Sequence, residues 1–247
     1  MPNPESQVSP DLIPPLDPEL LSLSEIEMTF LRTYISPDDH KVRERILDIQ
    51  KRAYAEYPYP CVRAFNFVNL FMAENPIYST VVDAGRGGHT LFLDLGCHMG
   101  TDVRKLVCDG YPASNVVGCD LRPQYFDFGY ELFGDADTCP IRFFADNIFD
   151  VPFTIFDFPG TTVVPDLTQG TIAQNPPAFD SAAKLSQLCG TLTHIYTGAL
   201  FHLFNEEAQG TLALQLAELL KRSPGATVFG RHQGLEKDGK IDDHLGR

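Results

Sequence analysis

An aspartate, a glycine turn and a second aspartate have the types and spacing of a site for a nucleotide-like cofactor: Asp94, Gly96 with Gly100, and Asp120. The run LFLDLGCHMG, Leu91 to Gly100, places an apolar strand directly ahead of the turn, and VVGCD, Val116 to Asp120, reads as a second strand closed by an acid. In a doubly wound sheet the first turn receives the cofactor, and the acid ending the second strand binds its ribose hydroxyls. The 26 residues from Asp94 to Asp120 hold the helix expected over Thr101 to Gly110 and a short strand. A dinucleotide turn needs three glycines so that a pyrophosphate can lie on backbone and helix N-terminus. Only Gly96 and Gly100 remain here, which disfavours a nucleotide-dependent oxidoreductase.

Read as D-x-G-x-x-x-G, the same residues resemble the first motif of class I S-adenosylmethionine-dependent methyltransferases, with His98 where the middle glycine usually lies. The stretches Asp120 to Asp135, Ile141 to Asp150, His194 to Phe204 and Gly225 to Gly234 are similar to successive strand ends of a fungal small-molecule group of these enzymes. That group acts in terpenoid, meroterpenoid and polyketide pathways. YPYPCVRAF, Tyr57 to Phe65, resembles its lid segment, and the resemblance runs from Ile46 to Gly234.

The resemblance implies a Rossmann-like α/β fold, S-adenosylmethionine as cofactor and a small-molecule acceptor. It places Asp120 and Leu121 at the ribose, and Asp146, Asn147 and Ile148 at the adenine. Asp94, Gly96, Cys97, His98 and Gly100 fall along the turn, and Thr197 at the end of the fourth strand. Asp94 holds the methionine ammonium or caps the glycine turn, and Asp146-Asn147 reads equally as a turn pair. His202, just past the fourth strand, is the candidate general base, against a histidine that packs under the crossover helix. For the acceptor, Tyr57, Tyr59, Cys61 and Arg63 in the lid, Phe201, and Arg231 beside His232 are candidates, Arg63 or Arg231 pairing a carboxylate. Aromatic packing between helices and a surface ion pair are the plainer readings of the same residues.

The formal charge of −14 argues against nucleic acid as a partner, since phosphate binding draws on Lys and Arg clusters. Six cysteines without paired spacing read as reduced thiols of a cytoplasmic protein, with no metal site. The proline-rich, acidic N-terminus is unlike a signal peptide, and apolar runs stay below the roughly 18 residues of a membrane span. A homodimer is open.

At 247 residues the chain suits one α/β unit. It divides into a flexible arm at 1–18, a helical cap and lid at 19–89, and the cofactor domain at 90–247 with an insertion at 151–179. Helices are expected over Pro18 to Ser36, Asp38 to Tyr57, Ala64 to Glu74, Ser181 to Leu188 and Glu206 to Lys221. Strands four and five are expected at Leu192 to Tyr196 and Ala226 to Gly230. Asn175-Pro176-Pro177-Ala178 imitates the NPPY motif of amino-group methyltransferases, but precedes the fourth strand and lacks the aromatic residue. The 17 residues after Gly230 are short for the closing strands of this fold, so those strands are expected to be shortened or missing. The expected reaction is O-methylation of a small apolar natural product, at carboxyl or hydroxyl. An N-methyltransferase and a truncated, non-catalytic cofactor-binding protein are the alternatives.

Overall fold

The computed structural model describes residues 13–153 and 179–232, together with Gly234, Glu236 and Lys237. Five strands, β1 (Phe92–Leu95), β2 (Val116–Asp120), β3 (Arg142–Ala145), β4 (His194–Gly198) and β5 (Thr227–Arg231), form one parallel sheet in the order β3-β2-β1-β4-β5. The chain leaves β1 for β2 on one side and later returns to β4 on the other. The crevice at the carboxyl ends of β1, β2 and β4 is therefore the place where such sheets bind ligands. Register sets Asp94 opposite Gly118 on β2 and Tyr196 on β4.

Both faces of the sheet are covered, as parallel pairing requires. Side chains alternate along each strand, so Leu93 and Leu95 join Val117, Cys119 and Ile195 on one face. There α7 (Glu206–Leu219) packs Leu212, Leu216 and Leu219, with Asn205 capping its first turn. Phe92, Val116 and Tyr196 point the other way, toward α4 (Tyr78–Arg86) and α5 (Thr101–Cys108).

Two helices, α1 (Glu25–Tyr34) and α2 (Asp39–Glu56), form a cap that packs on α6 (Gln124–Phe133) through Phe30, Tyr34 and Phe133. The helix expected from Pro18 begins only at Glu25, because Ser24 and Glu27 close a capping box. The other Glu27 oxygen accepts from Asn69 and Leu70 and so ties the cap to the lid. Ile13 and Leu16 pack against the cap core, Tyr54 donates to the Pro14 carbonyl and Arg63 to that of Pro15. This part of the expected arm is therefore docked, with Met1 to Leu12 outside the described residues.

The helix expected over Ala64 to Glu74 is not formed. Pro60 starts a single turn one step earlier, α3 (Pro60–Arg63), and Phe65 at φ 60° ends it, leaving a 3-10 turn at Asn66–Val68. The helix expected over Ser181 to Leu188 is two 3-10 turns, Phe179–Ser181 and Leu185–Leu188. Strand β4 lies two residues later than expected, with Leu192 in a lone bridge to Leu220. Most of the expected insertion, including Asn175 to Ala178, lies outside the described residues, as do nearly all the positions where closing strands were expected shortened. Among the described residues no helix is long and apolar enough to cross a membrane.

Candidate functional site

The turn after β1 is built from positive φ angles at Gly96 (81°), His98 (52°) and Gly100 (72°). Gly96 and Cys97 donate their N–H groups to the Cys119 carbonyl, at 2.8 and 3.1 Å, so the turn bends across to β2. At Gly100 the conformation and the space both demand glycine, since a Cβ there falls 2.6 Å from the Phe143 ring. The Asp120 carboxylate then fixes the arrangement. One oxygen accepts the His98 N–H at 2.8 Å and the other the Arg122 N–H at 3.1 Å. A carboxylate offers about four acceptor sites, and with the Leu121 N–H also lying against this one, acceptor capacity still remains. Burial pushes the pKa of Asp120 up against the lowering effect of those backbone donors.

Around this pair the sequence-derived candidates divide. Leu121, 48% exposed, lies directly beyond Asp120. The Asp146 N–H bonds to the Asp120 carbonyl at 3.2 Å, which places the end of β3 beside the end of β2. One oxygen of its side chain accepts the Leu185 N–H at 2.6 Å. Asn147 spends its side-chain oxygen capping the next turn at the Phe149 N–H, and Ile148 is buried. The turn after β4 closes the crevice from the other side, where Leu200 lies 3.6 Å from the point a Gly96 Cβ would take. Thr197 is buried, its carbonyl 2.1 Å from where a Gly230 Cβ would lie. The half-buried Phe201 and His202 rings lie 6.2 and 5.8 Å from that of His232.

Asp94 is buried at the centre of the sheet, and burial first, then the Asp102 and Asp120 charges, push its pKa well up. Asp102, in the first turn of α5, accepts the Met72 N–H at 3.0 Å, and burial pushes its pKa up to about 7. Cys97 is likewise buried, and burial and nearby carboxylates push its thiol up, so it stays protonated rather than nucleophilic. His98 turns its ring into the interface between α6 and the lid, stacked on Tyr125 at 3.9 Å and facing Phe67 at 6.4 Å. A side chain at this position is accommodated because it packs between Tyr125 and Phe67.

The two arginines expected at an acidic acceptor each have a contact of their own. Arg63 holds the Pro15 carbonyl, and the exposed Arg231 lies 3.6 Å over the Phe71 ring. In their place the structure brings Arg122 to the lid. Its guanidinium sits 4.1 Å over the Tyr57 ring and donates to the Tyr57 hydroxyl at 3.2 Å. Tyr57 and Tyr59 stack at 6.1 Å, and both meet Tyr125. Arg122 and Tyr125 were missed, although both stand in the segment that follows Asp120. Their side-chain direction depends on how α6 meets the cap, which no local pattern encodes.

Residues 13–68 match the model of the meroterpenoid methyltransferase N-terminal domain, which is the cap and lid described above. The methyltransferase nvfJ of Aspergillus novofumigatus, whose name gives asnovolin E and chermesin D, is 30% identical over 215 residues, 87% of this chain and 66% of that protein. The chain belongs to the fungal methyltransferases of secondary metabolism. Another relative, trt5 of Aspergillus terreus, is 28% identical over 97% of the chain and 78% of its own length. The O-methyltransferase atr3 of Stereocaulon alpinum is 30% identical over 83% and 51%. The chain thus spans between half and about three quarters of the family members it matches. Among solved structures, an S-adenosylmethionine-dependent methyltransferase of Methanococcus maripaludis aligns over 85% of the chain and 68% of its own, at 12% identity and a TM-score of 0.41.

Proposed function

We propose that this chain transfers a methyl group from S-adenosylmethionine to an oxygen, carboxyl or hydroxyl, of a small and mostly apolar natural product. The observation that carries the reading is Asp120, held by the His98 and Arg122 N–H groups at the mouth of the crevice with acceptor capacity left over. Leu121 supports the base, the Asp146 carboxylate suits an adenine amino group, and the buried Asp94 suits an ammonium. Gly96 gives the close approach the turn needs. When bound, the cofactor supplies an electrophilic methyl on a sulfonium.

The residues of the chain then contribute mainly by alignment, because an in-line displacement gains most of its acceleration from proximity. The lid tyrosines and the Leu200 turn are the elements that would shield a bound cofactor from water. A carboxylate acceptor is already ionised near neutral pH and needs no base. An alcohol or phenol does, and His202 on the turn after β4 is then the group to take its proton. A radiolabelled methyl-transfer assay on terpenoid acids, matched alcohols and matched amines tests the proposal. Ester or ether products support it, and transfer to the amines alone contradicts it.

A further inference from the structure

Among the described residues, five buried side-chain nitrogen and oxygen atoms without a hydrogen-bond partner lie on four near neighbours. They are both ring nitrogens of His98, Arg122 Nε, the Gln124 side-chain oxygen and the Tyr125 hydroxyl. His98 and Tyr125 stack at 3.9 Å, Tyr125 meets the Tyr57 and Tyr59 rings at 5.9 and 6.4 Å, and Arg122 lies on Tyr57. Each unmatched buried polar atom carries a desolvation penalty, and native proteins rarely leave several together. Ordered water or a bound group satisfies such atoms, and the guanidinium among them favours an anionic group.

Most of these atoms are donors. Arg122 and Tyr125 present N–H and O–H, and a neutral imidazole presents one N–H. Burial lowers the pKa of His98 to about 3, so the ring is neutral at physiological pH. The Gln124 amide presents its NH2 end once turned over. A fixed cation among neutral donors is the chemistry that recognises a carboxylate, in a chain whose formal charge is −14. We propose that Arg122, Tyr125 and His98 form a carboxylate subsite beneath the Tyr57–Tyr59 lid. The carboxylate belongs to the acceptor or to the methionine arm of the cofactor, and to that extent the subsite rests on the function proposed above.

The test is calorimetry on the full chain and its Arg122→Gln and Tyr125→Phe variants. The probes are S-adenosylhomocysteine, methylthioadenosine (which lacks the methionine arm), farnesoic acid and farnesol. Farnesoic acid and farnesol are titrated with S-adenosylhomocysteine present. One carboxylate probe is expected to weaken about 10- to 100-fold in Arg122→Gln and less in Tyr125→Phe, while methylthioadenosine and farnesol hold their affinity. Selective weakening of S-adenosylhomocysteine identifies the cofactor's carboxylate, and selective weakening of farnesoic acid identifies the acceptor's. Unchanged binding of both acids, or equal losses for all four probes, overturns the subsite. Tyr125→Phe keeps the ring stack and decides the matter if Arg122→Gln does not fold. If the wild type binds no S-adenosylhomocysteine, the cofactor reading fails by itself and farnesoic acid alone decides the subsite. Failure of the wild type to bind either acid overturns the subsite as well.

Discussion

At the scale of single residues, Asp102 is placed where its ionisation opposes folding. Its folded pKa of about 7, raised by burial, stands above the ordinary 3.8. A carboxyl shifted this way stabilises the fold fully below the unfolded value, and the contribution is lost as pH rises through the folded one. Asp102→Asn keeps the oxygen that accepts the Met72 N–H and removes the titration. Its stability relative to wild type is therefore expected to grow from about pH 4 to about pH 7, by at most ~1.4 kcal/mol per pH unit, and then level off. Denaturant melts across that range check this, and a gap that is flat with pH contradicts it. His202 gives the second residue-scale prediction, because the two acceptor classes ask different things of it. With a carboxylic acid, His202→Ala keeps most of the turnover. With an alcohol it loses about 10²- to 10⁴-fold in kcat. Matched acid and alcohol substrates assayed with the variant separate the two.

At the scale of elements, the glycine turn is held from behind by an ion pair. Arg104 of α5 is 2% exposed and grips Asp135, just past α6, with two hydrogen bonds of 2.7 and 2.9 Å, while also donating to the Met99 carbonyl in the turn. Removing one partner of such a pair strands the other charge. Asp135→Ala is expected to cost about 3–5 kcal/mol in chemical denaturation and to loosen the cofactor turn with it. A loss below ~1 kcal/mol contradicts the assignment of this pair as the turn's support. The strands, α2 and α5 were legible in the sequence because their periodicity and caps are local. Helix α4 was not, although Tyr78, Val81, Val82 and Gly85 repeat at helical spacing. Its short run is bracketed by Asn75-Pro76 and by the glycine-rich run Gly85 to Gly88, both turn-forming sequences. The lid was misread for the opposite reason. Ala64 to Glu74 is apolar enough for a helix, but the Glu27 carboxylate from α1 takes the Asn69 and Leu70 donors, and no local pattern reports that contact.

At the scale of the whole molecule, the strand order and the placement of Asp94, Gly96 and Asp120 follow from motif spacing, and the structure assembles them at the switch point between β1, β2 and β4. Which arginine faces the crevice is not legible in the sequence, because the three arginines concerned differ only in their tertiary contacts. Arg63 and Arg231 lead to the docked arm and to Phe71, and Arg122 leads to the lid. The account stands or falls on one ligand meeting one carboxylate. S-adenosylhomocysteine titrated calorimetrically into the wild-type chain and its Asp120→Asn variant tests that most directly, with a thermal melt confirming that the variant is folded. Saturable one-to-one binding, weakened by about 1.5–3 kcal/mol in the variant as charge-assisted bonds to the ribose are lost, is the predicted result. No binding to the wild type, or equal affinity in a folded variant, contradicts the central claim.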